Sequence, residues 1–379
     1  MGQKDVKINP DQQSVAEKQG KLRILVAPLD WGLGHATRCI PIIRELLNLH
    51  IDVWLAGEGA QEQLLKAEFP DLPFLPLQGY RVLYSRRNWG FVWKIILQSL
   101  KLYKAIREEN KWLKHAVEQY NFDAVISDNR YGLYHSSVPC VFITHQLAIK
   151  SGAGNWTAKI LQQKNYKYIN RFSECWVPDT NTENNLAGDL SHPDKKPDIP
   201  IYYIGILSRF KKRETPIEKN HLLVILTGPE PQRSALEEKI IKQISHYQGT
   251  AAVVRGLPGN FSLIPSSNML HFFNHLTANE LNEEMSKAEF VISRSGYSTL
   301  MDLLTLQKKS ILIPTPGQTE QEYLADYLSS KKLAFTVDQK NFLFDDAIQK
   351  AQMFTYHLPV LPESNQLHET LSQIKATLR

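Results

Sequence analysis

Short apolar and β-branched runs alternate along the chain with longer segments in which apolar residues recur at helical spacing. This alternation is typical of βαβ units, in which helices connect parallel strands. In the first half it predicts strands over residues 22–27, 51–56, 122–127, 138–143 and 174–177. In the second half it predicts strands over residues 221–227, 250–254, 268–272, 290–293, 310–313 and 334–337. The sequence therefore predicts an α/β protein with two parallel sheets.

Two breaks in the pattern divide the chain. Residues 178–200 are rich in Asn, Asp, Pro and Gly and predict a loop, and the charged segment 206–220 predicts a linker. We expect one Rossmann-like domain over residues 21–205 and a second over residues 221–360, facing each other across a cleft. Residues 1–20 predict a loose polar tail, since they lack the apolar core of a signal peptide. Residues 361–379 predict a final helix that could pack back on the first domain.

Composition narrows the class of protein. The 379 residues are 42% hydrophobic and 22% charged, as in soluble globular proteins. The three cysteines, Cys39, Cys140 and Cys175, form no CxxC or Cys/His spacing, which argues against zinc and favours a reducing cytoplasm. No run reaches the roughly 18 to 20 apolar residues that span a bilayer. The net charge of +5 permits an anionic substrate or membrane surface, and we expect no nucleic-acid partner.

In open α/β sheets, ligands bind beyond the carboxyl ends of the strands, where loops lead into helix N-termini. The segment WGLGHATR follows the first predicted strand. Gly32 and Gly34 allow a tight turn and a close approach of the backbone to a ligand, and His35 begins the next helix. A histidine there could act as a general base, while the alternative is a glycine turn in which His35 caps local backbone.

Asp128 follows the predicted strand 122–127. A carboxylate at a neighbouring strand end could orient His35 and stabilise its charged form, as the third member of a catalytic triad does. The alternative is an aspartate that caps its own loop.

The second half contains SRSGYSTLMD and, after the next predicted strand, PTPGQTEQEYLA. Backbone donors, a hydroxyl and a guanidinium at Arg294, Ser295 and Gly296 could hold a diphosphate. Asp302 falls one to two turns into the following helix, where it could accept hydrogen bonds from ribose hydroxyls. Glu320 and Gln321 open the next helix and could bind sugar hydroxyls. Each of these residues alone could instead be a helix cap.

These segments resemble nucleotide-sugar glycosyltransferases of the GT-B fold, and in particular glycosyltransferase family 28. GLGHATR is similar to the glycine-rich loop of that family and places His35 on its functional histidine. RSGYSTLMD is similar to the segment whose final acid binds ribose, although Asp302 stands where family members have glutamate. EQEYLA aligns Gln321 and Glu320 with donor-sugar residues, and FFNHL aligns Phe272 with an aromatic residue that contacts uracil. The likeness extends over most of the chain from Leu22 onward.

One departure concerns the turn after the first strand of the second domain. The family has a Gly- and Ser-rich turn there, whereas this chain reads TGPEPQR. Gly228 remains, but two prolines remove backbone donors. Thr227 or Arg233 could supply the lost phosphate contact.

The resemblance implies a glycosyltransferase that moves a sugar from a nucleotide-diphosphate donor, in this family a UDP-sugar, to an acceptor hydroxyl with inversion. A helix N-terminus and Arg294 could stabilise the leaving diphosphate without a metal, so we expect no metal and no cofactor. Two other interpretations remain: a nucleotide-sugar hydrolase or epimerase on the same fold, and a non-catalytic protein that binds sugar nucleotides.

The segment 80–114 bears on the acceptor. It contains nine basic residues against Glu108 and Glu109, interleaved with aromatic and apolar residues. Such a helix could lie on an anionic membrane and receive a lipid-linked acceptor, which would make the protein peripheral at the inner face of the membrane. The alternative is a core helix with a solvated basic face.

Overall fold

A computed structural model of the chain describes residues 20–80, 91–150, 155–257, 262, 264–360 and 365–378, with the backbone alone for residues 91–100 and 155. The predicted tail at residues 1–20 therefore lies outside the described residues except for Gly20.

The first domain is built on a parallel sheet of seven strands in the order β3, β2, β1, β4, β5, β6, β7. Its strands are β1 (Arg23–Pro28), β2 (Asp52–Gly57), β3 (Phe74–Pro76), β4 (Ala124–Asp128), β5 (Cys140–Ile143), β6 (Glu174–Val177) and β7 (Ile201–Tyr203). Its helices are α1 (Leu33–Asn48), α2 (Gly59–Glu68), α3 (Phe91–Tyr120) and α4 (Asn155–Ile169). Beyond β6, the chain makes a short 3-10 helix at Gly188–Leu190.

The second domain repeats the plan with six parallel strands in the order β10, β9, β8, β11, β12, β13. Its strands are β8 (His221–Ile225), β9 (Thr250–Val254), β10 (Leu270–Phe273), β11 (Phe290–Ser293), β12 (Ser310–Leu312) and β13 (Phe335–Thr336). Its helices are α5 (Gln232–Ile244), α6 (Ala278–Lys287), α7 (Tyr297–Thr305), α8 (Thr319–Ser330) and α9 (Phe344–Met353), and the chain ends with α10 (Gln366–Thr377). The predicted α/β class with two parallel sheets is confirmed.

The continuous apolar runs in the sequence predicted the central strands of both sheets. β1, β4, β5 and β8 are buried almost throughout, because helices cover both faces of each sheet. The pattern did not predict β3 and β7, which are three residues each. Strands this short at a sheet edge contain too few buried positions to produce an apolar run.

The two domains share one continuous apolar cluster. Leu186 and Leu190 of the first domain lie in the same buried group as Leu300 and Leu328 of the second. Burial of apolar surface between the domains stabilises their facing arrangement. The carboxyl ends of both sheets consequently meet at a common cleft.

The last helix, α10, lies against α1. His368 Nδ1 is 2.6 Å from Glu45 Oε1, and Lys375 Nζ donates to the carbonyl oxygen of Leu49 at 2.7 Å. The end of the chain thus returns to the first domain. Across the part of the chain that the structure describes, no helix combines the length and apolarity needed to cross a membrane.

Candidate active site in the interdomain cleft

His35 and Asp128 meet where two neighbouring strands end. β1 and β4 are adjacent and parallel, so the start of α1 lies beside the last residue of β4. His35 Nδ1 is 3.3 Å from Asp128 Oδ1. The His35 side chain is 14% exposed and Asp128 is fully buried, so the imidazole alone can reach a ligand. The sheet brings together these two residues, which are far apart in the sequence.

Arg38, which lies one helical turn after His35, holds this pair in place. Its Nε donates to Asp128 Oδ2 at 2.7 Å, and its Nη2 donates to Asp128 Oδ1, so the two side chains form a bidentate pair. The same Nη2 is 2.9 Å from His35 Nδ1, and Nη1 is 3.2 Å from His145 Nδ1. A single buried guanidinium therefore joins the carboxylate to two imidazoles.

The buried charges of this cluster lower the pKa values of Asp128 and His35. Burial alone would raise the pKa of the Asp128 carboxyl, but Arg38 and His35 outweigh burial and hold that pKa well below its usual range. Burial and the positive charge of Arg38 lower the pKa of His35 below its ordinary value of 6.5. At neutral pH the structure thus contains an ionised Asp128 and a neutral His35, which is the protonation state that a general base needs.

The two contacts of His35 Nδ1 require different tautomers. Arg38 can only donate, so its contact needs a bare Nδ1 and leaves the proton on Nε2. The contact with Asp128 needs a proton on Nδ1 and leaves Nε2 free to accept one. The tautomer that can act as a base is therefore the one in which Nδ1 donates to Asp128.

The second domain supplies the opposite wall. Ser295 and Gly296 lie between β11 and the start of α7, and Ser295 Oγ donates to the carbonyl oxygen of Gln321 at 2.8 Å. Because β12 adjoins β11, the N-termini of α7 and α8 lie side by side. Two helix N-termini with free backbone donors form a surface suited to an anion.

Asp302 lies within α7 and faces the interdomain segment. Its Oδ1 accepts a hydrogen bond from Ser208 Oγ at 2.6 Å. Burial raises the pKa of Asp302 to about 6, against the opposing effects of Arg209 and Ser208. A half-buried carboxylate with spare acceptor capacity suits a partner that donates hydroxyl protons.

The two arginines predicted to contact phosphate are engaged within the protein. Arg294 is buried and donates from Nη1 and Nη2 to the backbone carbonyls of Ile313, Pro314 and Gln232, while its Nε has no partner among the described residues. It therefore binds the loops after β12 and β8 together.

Arg233 is bound by two carboxylates. Its Nε is 2.6 Å from Glu230 Oε1, and its Nη1 is 3.0 Å from Glu237 Oε2. Arg233 would have to exchange these partners to contact a phosphate. Thr227 and Gly228 are exposed in the turn after β8, where they can meet a ligand.

Gly228 lies close to the hydroxyl of Thr315, which has no hydrogen-bond partner among the described residues. Its φ is +108°, and a Cβ at this position would lie 3.8 Å from Thr315 Oγ1. Thr315 is 1% exposed, and its Oγ1 has no hydrogen-bond partner among the described residues. Phe272 lies on β10 at the edge of the sheet, with its ring half-buried against the core.

Glu320 and Gln321 open α8 but point to different partners. Gln321 Oε1 accepts from the backbone nitrogen of Thr315 at 2.9 Å and so stabilises its own loop. Glu320 Oε1 lies 2.7 Å from His145 Nε2, across the cleft. Its side chain is 34% exposed, so the carboxylate remains accessible from the cleft.

Gly34 is one point of contact between the two walls. Ser298 Oγ donates to the carbonyl oxygen of Gly34 at 2.8 Å. A Cβ at Gly34 would lie 3.0 Å from Ser298 Oγ, so a side chain there would require the Ser298 hydroxyl to move by a few tenths of an ångström. The glycine permits the two helix N-termini to face each other directly.

Four residues of the site were not predicted from the sequence: Arg38, His145, Tyr297 and Thr315. Only Arg38 had a usable signal, because a residue three positions after His35 shares its helix face. The other three have roles that arise from contacts between loops distant in sequence.

The geometry can now be compared with known proteins. Residues 266–358 match the glycosyltransferase family 28 C-terminal domain. The chain is 22% identical over 335 residues to the UDP-N-acetylglucosamine–N-acetylmuramyl-(pentapeptide) pyrophosphoryl-undecaprenol N-acetylglucosamine transferase of Haemophilus ducreyi, covering 84% of this chain and 86% of that protein. The enzyme of the same name from Buchnera aphidicola is 27% identical over 324 residues, covering 82% and 83%.

Solved structures show the same architecture. The glycosyltransferase SnogD from Streptomyces nogalater matches with a TM-score of 0.61 at 14% identity, covering 95% of this chain and all of that one. MurG from Acinetobacter baumannii matches with a TM-score of 0.51 at 13% identity, covering 94% and 95%. The chain is a GT-B glycosyltransferase. The predicted resemblance, fold and enzyme class are confirmed, and the interdomain cleft is where a nucleotide-sugar transferase of this fold would hold its substrates.

Proposed function

We propose that this protein transfers a sugar from a UDP-sugar to an acceptor hydroxyl with inversion at the anomeric carbon and without a metal ion. The observation that supports this proposal most is that two complementary walls, one from each domain, face each other across the cleft. A buried His–Asp pair faces paired helix N-termini at a distance fixed by the contact between Ser298 and Gly34. Such a cleft can place an acceptor against a nucleotide sugar.

The acceptor side requires a base. In the proposed reaction, Nε2 of His35 takes the proton of the acceptor hydroxyl as its oxygen attacks the anomeric carbon. The bond from that carbon to the diphosphate oxygen breaks, and the electron pair leaves with UDP. Asp128 then stabilises the imidazolium through Nδ1–H, and its buried, ionised state suits that task.

The donor side requires stabilisation of a leaving diphosphate. We propose that the N-termini of α7 and α8, with Ser295 and Gly296, bind the phosphates. The Nε of Arg294 and the Oγ1 of Thr315 are buried polar atoms in the adjoining loops without partners among the described residues, and a bound diphosphate could supply those partners. Asp302 would bind the ribose, with Phe272 near the base and Glu320 and Gln321 near the sugar.

The acceptor is proposed to be lipid-linked and presented at the cytoplasmic face of a membrane. The described part of α3 buries Ile106, Leu113 and Ala116, while its basic residues are exposed, so it has a core face and a solvated basic face. A groove of about 420 Å³ beside it contains Arg107, Lys111, Lys114 and Arg171.

Tyr103 also lines this groove, and its aromatic side chain is 49% exposed. Residues 81–90 of the predicted basic segment lie outside the described residues. Flotation with vesicles of anionic and of neutral lipid tests the membrane contact, and an absence of binding to anionic vesicles at low salt would contradict it.

The proposed reaction is tested with the purified protein, UDP-sugars and candidate lipid-linked acceptors. Thermal shifts with UDP, dTDP and GDP identify the base, because a bound nucleotide raises the melting temperature by mass action. Transfer is then followed by mass spectrometry of the product, and the anomeric configuration of the product by NMR. Rapid release of free sugar without acceptor would favour a hydrolase, and nucleotide binding without turnover would favour a binding protein.

A further inference from the structure

His145 contacts three functional groups of the cleft although it belongs to none of the expected site segments. It follows β5, which lies beside β4 in the first sheet, so its imidazole reaches the same strand-end edge as Asp128. It is 6% exposed. A buried polar ring at this place needs partners, and each of its polar atoms has one.

The partners of His145 fix its tautomer. Nδ1 is 3.2 Å from Nη1 of Arg38, which can only donate, so Nδ1 must accept. The proton of the neutral ring is then on Nε2, which lies 2.7 Å from Glu320 Oε1. His145 therefore donates to the Glu320 carboxylate, and this bond contributes to lowering the pKa of Glu320 against the effect of burial.

The second domain also holds the ring from its face. Tyr297, the first residue of α7, stacks on His145 with ring centroids 4.0 Å apart and an angle of 4° between the planes. The Tyr297 hydroxyl donates to the carbonyl oxygen of Pro178 at 2.7 Å, so the tyrosine is itself fixed to the first domain. The imidazole can take this position only when the two domains are closed.

We propose that His145 is a positioning residue for donor-sugar recognition. In the closed cleft it fixes one oxygen of the Glu320 carboxylate, so that the other is aimed at a hydroxyl of the donor sugar. This inference rests on the proposed function, in which Glu320 binds the sugar. Arg38 extends the connection to His35 and Asp128, so the same hydrogen-bond chain orients the base and the sugar acid.

The test compares two probes that differ only in the sugar. Isothermal titration calorimetry measures the affinity of UDP and of UDP-N-acetylglucosamine for the wild type and for variants. His145→Ala should weaken binding of the UDP-sugar about 10-fold by removing a charge-assisted hydrogen bond, and should change the affinity for UDP less than about 2-fold. His145→Gln retains an N–H donor near the Nε2 position and should restore most of the sugar contribution.

A double-mutant cycle separates positioning from a general structural role. In a Glu320→Ala background, His145→Ala should weaken binding of the UDP-sugar less than about 2-fold further, because its partner is already gone. His246→Ala, an exposed histidine at the far end of α5, is the matched control. Equal losses for UDP and UDP-sugar, or additive losses in the cycle, would overturn the inference. If the wild type binds neither probe, the proposed function itself fails.

Discussion

The two walls of the cleft differ in whether their buried polar groups have hydrogen-bond partners within the protein. On the first domain, Arg38, Asp128 and His145 are buried, and their polar groups are paired with one another and, at His145 Nε2, with Glu320 of the second domain. On the second domain, Arg294 Nε and Thr315 Oγ1 have no partner among the described residues, and the Asp302 carboxyl has a raised pKa.

This difference indicates that the first wall is preorganised and that the polar groups of the second wall depend on a ligand for their partners. A satisfied network stabilises the fold and holds its base in one geometry. Unsatisfied polar atoms lower the stability of the free protein, and that free energy is recovered when a ligand supplies the partner. Substitutions in the paired network of the first wall should therefore lower both stability and activity, whereas removal of an unpartnered polar group from the second wall should lower binding without lowering stability.

The largest effect is expected at His35. Removal of a general base costs about 100- to 10,000-fold in rate, so His35→Ala should reduce kcat within that range. The affinity for nucleotide should hardly change, because His35 lies on the opposite wall. Steady-state kinetics and calorimetry with UDP measure the two effects, and His246→Ala is again the control. A turnover near that of the wild type would remove His35 from the mechanism.

Arg38→Ala should have the largest effect on stability. It leaves the buried Asp128 carboxylate without its bidentate partner, and breaking a buried pair in this way costs about 3–5 kcal/mol. Urea denaturation measures the loss. The matched control is Lys66→Ala, which breaks the exposed pair with Glu62 and should cost about 0–1 kcal/mol.

A second substitution tests the cause of that loss. Asp128→Asn in the Arg38→Ala background should recover part of the stability, since it removes the uncompensated charge. Equal unfolding free energies for Arg38→Ala and Lys66→Ala would contradict the claim that the first wall is a paired network.

The pH dependence of donor binding should come from Asp302. Its pKa is raised from 3.8 to about 6, so the carboxylate that accepts ribose hydroxyls becomes protonated as the pH falls through about 6. The affinity for UDP should decline below that pH. The stability of the ligand-free protein should change in the opposite direction, because a raised folded pKa means that stability is present at low pH and is lost as the pH rises from 3.8 through 6.

Asp302→Asn should abolish both dependences. Calorimetry with UDP and thermal unfolding between pH 4 and 8 measure them, and the exposed Asp326→Asn on α8 is the control. A constant affinity in the wild type across this range would show that Asp302 does not bind the nucleotide in its ionised form.

The smallest effect is expected at Thr315. Thr315→Val removes an unpartnered hydroxyl, so the free energy of unfolding should stay constant or rise by up to about 1 kcal/mol. The affinity for UDP should fall about 3- to 10-fold if that hydroxyl binds the diphosphate.

Thr370→Val on α10 is the matched control for Thr315→Val. The hydroxyl of Thr370 donates to the carbonyl oxygen of Gln366 at 2.8 Å, so this variant should lose stability and keep its affinity for UDP. A Thr315→Val protein that loses stability and binds UDP normally would contradict the claim that the Thr315 hydroxyl lacks a partner in the protein and binds the diphosphate.

The sequence by itself determined the two parallel sheets, since buried strands covered on both faces leave continuous apolar runs that need no knowledge of partners. It also placed His35 and Asp128 at the carboxyl-end edge of the first sheet, because residues directly after buried parallel strands lie at that edge. These conclusions depend on local spacing alone.

Only the tertiary structure decided which of these residues act together. Arg233 resembled a free phosphate ligand until Glu230 and Glu237 were found to bind it. His145 gave no signal in the sequence, and only its contacts with Tyr297 and Glu320 across the cleft show its place in the site. A hydrogen bond across the cleft joins residues 175 positions apart, and no local pattern reports such a pairing, because it arises only when two separately folded domains meet.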